Sequence, residues 1–460
     1  MLYLLLAAVT CVFGAIYSYN RRSLPCRLRS LKSRLTALTR QKGGRQTRQK
    51  WLDDLYRLLK QALCGGDQAI LFQTADLLKT AFGEGIMRPD EPVRLAGAVI
   101  GALRTKQAEI AGVLLDAFRP LLRHQPAEIL PELAEGVTMV GLFALKERQN
   151  FIAAKAADLL FAVLARAQRG NNVAGTSRAI NGIQTLGVQT LRRGDKSLFL
   201  ELCIRLDEEV INCRGDNSEL VGIFAVWLQR LVTAGDEELF SFVKTAVQRL
   251  ADKGRVEREV LAAFHREVLE MAGMVSLNAE HPLLAPLFEF AFELADRLNV
   301  LPAWQTAVQE TGKIAAAIIT SRGLTAAFPI MAVLLTLGGR LLTAELRRSK
   351  AGANEGDIED EGRVLYLVVR ECLLLLELAA RQEMGLTAGE LTGRLTMFWE
   401  KRFSASPPKN IRKFCQLLIF TWMQTRRRVA KRLAPEKLLE GPLLLSAEER
   451  SRLYFLQSNS

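Results

Sequence analysis

The chain has 460 residues, a net charge of +13 and 49% hydrophobic side chains, which excludes a disordered polymer and allows several domains. The charge is uneven: residues 20–50 hold eleven Lys or Arg, residues 401–432 hold ten, and neither stretch holds an acid. The body between them is mildly acidic, which argues against a uniformly basic nucleic-acid binder.

Residues 1–19, MLYLLLAAVTCVFGAIYSY, carry no charged side chain. As a helix they would reach about 28 Å, one hydrocarbon thickness. Tyr3, Tyr17 and Tyr19 stand at the two ends, where aromatic rings favour the membrane interface. The positive charge follows the segment instead of preceding it, the reverse of a cleaved signal peptide. The expectation is one transmembrane helix of a single-pass cell-membrane protein. Its N-terminus is outside and its C-terminal body in the cytoplasm, because Lys and Arg stay on the cytosolic side.

Residues 20–50 read as a basic juxtamembrane helix or linker. Arg21, Arg22, Arg27, Arg29, Lys32 and Arg34 are candidates for contact with acidic headgroups, each attracted by about 1 kcal/mol close to the surface. Ser23 can cap a helix whose first turn contains Pro25. Leu24, Leu28, Leu31, Leu35 and Leu38 then form one apolar stripe. Such a stripe can pair two copies as a short coiled coil, giving a homodimer, or it can lie on the bilayer or the body.

From 51 to 347 the apolar pattern is helical. Trp51, Leu55, Leu58, Leu59 and Ala62 share one face, as do Leu239, Val243, Ala246, Val247 and Leu250. Gly66-Asp67, Gly194-Asp195, Gly215-Asp216 and Gly235-Asp236 each place a left-handed helix end before an N-cap. Further breaks fall near Gly83–Pro89, Lys106, Pro126, Glu147, Gly170 and Gly254. With one helix about every twenty residues, a helix pair forms a unit of roughly 40, the period of HEAT or armadillo arrays. The fold class is therefore all-α: antiparallel helix pairs stacked as an irregular α-solenoid. The likeness to HEAT and armadillo arrays is architectural and transfers no functional residue.

Several local patterns are tempting. Arg214-Gly215-Asp216 spells an adhesion motif, but it occupies a helix break. Gly97 and Gly101 suggest a close helix approach. Residues 323–339 lack charge, and Pro329 favours a helix buried in the stack over a second span. Residues 348–363 form an acidic, Gly-rich linker. There Asp357, Glu359 and Glu361 imitate half of an EF-hand loop, but Val368 stands where a carboxylate is required. Residues 364–440 form a C-terminal helical unit, and 441–460 a tail. In that unit Arg412, Lys413, Arg426, Arg427, Arg428, Lys431 and Arg432, interleaved with Phe414 and Trp422, could meet acidic lipid or nucleic acid.

Signals for chemistry are weak. Seven scattered cysteines form no CxxC pair and fit free thiols; the closest pair in the body, Cys203 and Cys213, lies across a predicted helix end, and a bridge there is the alternative. His124, His265 and His281 show no ligand spacing, and the charged neighbours of His265 suggest an exposed or rim ring. No cofactor, metal site or catalytic residue is expected. The function expected is a membrane-tethered cytosolic scaffold presenting a protein-binding surface. The alternatives are an anionic-partner binder through 401–432 and an enzyme of unknown class.

Overall fold

The computed structural model describes residues 24–39, 45–124, 126–212, 218–252, 256–278 and 280–323, with isolated helical positions between 326 and 378. No strand occurs among the described residues. The helices are α1 (24–39), α2 (Arg45–Gly65), α3 (Gln68–Gly83), α4 (Glu91–Arg104), α5 (Ala108–Asp116) and α6 (Phe118–His124). They continue as α7 (Leu130–Lys146), α8 (Asn150–Arg169), α9 (Val173–Arg192), α10 (Lys196–Asn212) and α11 (Ser218–Ala234). Last come α12 (Glu237–Asp252), α13 (Arg258–Val275), α14 (Leu284–Leu298) and α15 (Leu301–Arg322). The chain divides into two compact units, Met1–Arg230 and Leu231–Ser460.

Seven of the breaks share one backbone device. Residues Gly66, Gly85, Lys106, Arg148, Asn171, Gly194 and Gly235 all have positive φ. The amide of the residue after each reaches back five positions, from Asp67 to Ala62, Ile86 to Ala81, Gln107 to Ala102 and Gln149 to Ala144. Asn172 to Ala167, Asp195 to Thr190 and Asp236 to Leu231 complete the series. The bond satisfies a carbonyl orphaned at the helix end. At four of these breaks the next residue also starts the following helix: Asp67, Asn172, Asp195 and Asp236 accept the amides of Ile70, Gly175, Leu198 and Leu239. Pro120 explains the division of α5 from α6, because its ring cannot sit against the carbonyl four residues earlier.

In the first unit the hairpins α2–α3, α4–α5, α7–α8 and α9–α10 stack in sequence. The first members α2, α4, α7 and α9 adjoin in one layer, and α3, α5, α8 and α10 adjoin in the other. In the second unit α13 packs on α14 and α15, and α12 on α14. Polar ties recur at sequence separations of 39 to 47 residues. Lys155 reaches Asp116 across 39 residues, Arg193 the Lys146 carbonyl across 47, and Trp227 the Gln184 carbonyl across 43. In the second unit Arg297 reaches Asp252 and Arg322 the Leu277 carbonyl, each across 45. A contact repeated at that interval is the signature of stacked two-helix units.

Two sequence boundaries shift. The body begins at 24, not 51, because α1 is packed on α2. Val364, Val368 and Leu375 are buried, and Glu371 lies against Gly312 of α15, so part of the C-terminal unit packs on the body. Within 323–339, Ala327, Ile330, Met331, Val333, Leu334 and Leu337 are helical and buried. No helix among the described residues is long and apolar enough to cross a membrane, and residues 1–19 lie outside them.

Candidate functional surfaces

The α1–α2 hairpin is built from the leucine stripe. Leu24, Leu28, Leu31, Leu35 and Leu38 are all buried, alongside Trp51, Leu55, Leu58 and Ala62. The indole of Trp51 donates to the carbonyl of Leu31 at 3.0 Å. This corrects the self-association reading of the stripe: its apolar face is already covered within one chain, so a coiled coil would first have to strip α1 from α2. Each buried leucine opposes that by about 2 kcal/mol.

The basic residues of the hairpin fall into two groups. Arg27 donates to Gln61 at 2.6 Å, while Arg34 and Arg57 both pair with Asp54, at 3.4 and 3.5 Å. Arg29, Lys32, Lys50 and Lys60 are exposed and have no ion pair among the described residues. Arg21 and Arg22 lie outside the described residues, as do Arg412, Lys413, Arg426, Arg427, Arg428, Lys431 and Arg432. The Arg-Gly-Asp triplet and the acidic linker do too.

A second charged cluster joins α2 to the start of α4. Arg88 and Arg94 bond the two oxygens of Asp53 at 2.7 and 2.8 Å, and Arg88 also donates to the Gln49 carbonyl. Burial opposes ionisation of Asp53, but the two guanidiniums hold its carboxyl below the usual value. Glu91 is 0% exposed and sits 3.5 Å from Arg94. Burial pushes Glu91 up despite that pairing, and burial together with the Glu91 charge pushes Tyr56 well up. Arg94 also stands 4.5 Å over the Tyr56 ring. Asp53 and Glu91 both face guanidiniums, so the cluster ties one hairpin to the next. Among the described residues no group of three or more His, Cys, Asp or Glu could hold a metal.

The first unit exposes apolar side chains on both layers. A side chain at Gly136 would touch the Pro92 carbonyl, so α4 and α7 approach closely there, and Val93 and Met139 stand one and three residues along the chain from that contact. Both are at least half exposed. One turn beyond Met139, Phe143 is half-buried under Arg104, 5.5 Å from its ring. On the other layer Phe151 is 68% exposed, with Lys155 5.1 Å from its ring.

Deep in the second unit, His265 is 2% exposed, which corrects the expectation of an exposed or rim ring. It is bonded to the backbone of Ala291, and its Nε2 is buried without a hydrogen-bond partner among the described residues. Burial drives its pKa down to about 4. Phe264 of the same helix meets Phe290 at 6.0 Å, and Phe290 meets Phe240 at 6.3 Å. Cys203 is a buried free thiol, pushed up by desolvation, and Cys26 and Cys64 are exposed free thiols.

The sequence missed the Asp53–Arg88–Arg94–Glu91 cluster, because nothing local to Asp53 announces partners 35 and 41 residues away. It misplaced the close helix approach. A side chain at Gly97 would meet nothing within 4 Å and one at Gly101 would only touch Leu63 at 3.6 Å, whereas one at Gly187 would run into the Trp227 indole and one at Gly141 into Leu186.

No protein-family model matches the sequence, and no curated protein does. Among solved structures, a circular tandem repeat protein with novel repeat topology and enhanced subunit contact surfaces aligns over 97% of this chain and 96% of its own. Its identity is 14% and its TM-score 0.29. A structure from the computational design of self-assembling cyclic homooligomers aligns over 85% of this chain and 95% of its own, at 11% identity and a TM-score of 0.12. At such scores neither likeness carries an argument.

Proposed function

We propose that this protein is a membrane-tethered scaffold, held by residues 1–19 with its helical body in the cytoplasm, and that the stacked hairpins offer their surface to a protein partner. The recurring tie across about 45 residues, as between Arg297 and Asp252, carries this reading. It supports a construction from successive hairpins, in which each unit adds surface to its neighbours. Val93 and Met139, exposed on adjoining helices, are the segment of that surface most suited to an apolar contact. The uncharged 1–19 segment and the basic residues after it support the tether and its direction.

Two measurements test the halves separately. The full chain is expected to stay in the membrane pellet through alkaline carbonate, and a variant lacking 1–19 to leave it. Recovery of the full chain in the supernatant removes the tether. A photocrosslinker at Met139 is expected to trap one discrete partner in cells, and Val93→Glu to abolish the adduct. A diffuse smear unaffected by Val93→Glu removes the docking surface.

A further inference from the structure

We infer that the α1–α2 hairpin is a preformed foot that docks the first unit on an anionic lipid surface through Arg29, Lys32, Lys50 and Lys60. The inference rests on the membrane-tether reading and deepens it. A flexible basic run would leave that unit free to swing; a folded hairpin would not.

Three observations converge. First, α1 belongs to the body: five buried leucines and the Trp51–Leu31 bond fix it on α2. Second, little chain separates it from the apolar segment. From Tyr19 to Leu24 there are five peptide steps, which reach at most about 18 Å even when fully extended. Wherever the apolar segment leaves the bilayer, the first turn of α1 must stand close by. Third, the charge on the hairpin is unbalanced. α1 has four basic residues and no acid. Both acids of α2 are already engaged, Asp53 by Arg88 and Arg94, and Asp54 by Arg34 and Arg57.

Those engagements decide which cations face the lipid. Arg27 and Arg34 turn toward α2 and are spent on Gln61 and Asp54. Arg29, Lys32, Lys50 and Lys60 remain exposed without an ion pair among the described residues. An exposed cation without an ion pair keeps its attraction for a phosphate or carboxylate within a screening length of about 8 Å, and the long bond from Arg29 to the Cys26 sulfur, at 3.8 Å, neutralises no charge. Anionic headgroups are the occupant that the adjacent apolar segment brings within this range. The surface is also short of apolar side chains that could insert. Docking should therefore be electrostatic, reversible and weakened by salt.

The test uses the full chain in vesicles of phosphatidylcholine, with or without phosphatidylserine. A donor dye is placed at the exposed Thr36 and an acceptor in the headgroups. Energy transfer is expected to rise with phosphatidylserine and to fall with added salt. Arg29→Gln with Lys32→Gln should lower the docking equilibrium about thirtyfold, the product of two headgroup attractions. Arg178→Gln, an exposed cation on α9, should leave it unchanged. If the chain resists carbonate extraction but transfer ignores phosphatidylserine and the double variant, the foot is wrong and the tether stands. If the chain does not insert, co-sedimentation with phosphatidylserine vesicles decides. Binding that the double variant loses supports the foot, and absent binding overturns it. RNA binding with the same two-residue dependence, without vesicle binding, also overturns it.

Discussion

Trp227 on α11 and Phe290 on α14 fill helix seams by opposite means. Trp227 drops its indole into the space left by Gly187 and donates to the Gln184 carbonyl at 3.2 Å, with Phe199 5.0 Å away. Phe290 stands among rings, edge-on to Phe240 and Phe264, with Lys244 6.0 Å from its face. One seam depends on a missing side chain, the other on a large one. The first has no slack for growth and the second none for loss.

Three substitutions break or sharpen that contrast. Phe290→Ala should be the most damaging, at about 4 kcal/mol, because it empties a site ringed by aromatics that cannot close over the space. Chemical denaturation of the second unit would show it, and a loss under 1 kcal/mol would mean that the rings repack. His265 probes the same core by charge. Its folded pKa of about 4 lies below the ordinary 6.5, so between those values the unfolded chain takes up a proton that the folded chain refuses. Stability should therefore fall as pH drops from 6.5 to 4, by about 3 kcal/mol in all, and His265→Gln should flatten that slope. A slope unchanged in the variant would assign the effect to carboxylates such as Asp53. Gly187→Ala should cost about 2 kcal/mol, since the new methyl overlaps the indole and Trp227 must shift. Trp227 fluorescence should move with it; an unmoved spectrum and an unchanged midpoint would refute the notch.

The legible parts of the sequence were those whose cause is local. Gly66-Asp67, Gly194-Asp195 and Gly235-Asp236 each encode a helix end and the next helix start within two residues, and each break falls there. Lys106 and Arg148 take the same left-handed conformation without a glycine, so composition marked the break but not its geometry. The leucine stripe showed that α1 is amphipathic without naming its cover, which comes from Trp51 and its neighbours across a loop. For His265 a usable signal was present. Leu261, Val268, Leu269 and Ala272, at offsets of −4, +3, +4 and +7, are all buried and share its face. The charged neighbours Arg266 and Glu267 obscured it. Of the basic surface, the sequence supplied the residues, but only the packing divides Arg27 and Arg34 from Arg29 and Lys32.

The long-range polar ties have a mechanical corollary. Arg193 grips the hairpin before its own, and Arg322 does the same in the second unit. Because each grip spans one neighbour, a load applied to either unit is carried within that unit from clasp to clasp. The link that yields first would be set by the weakest clasp and not by the average of the whole.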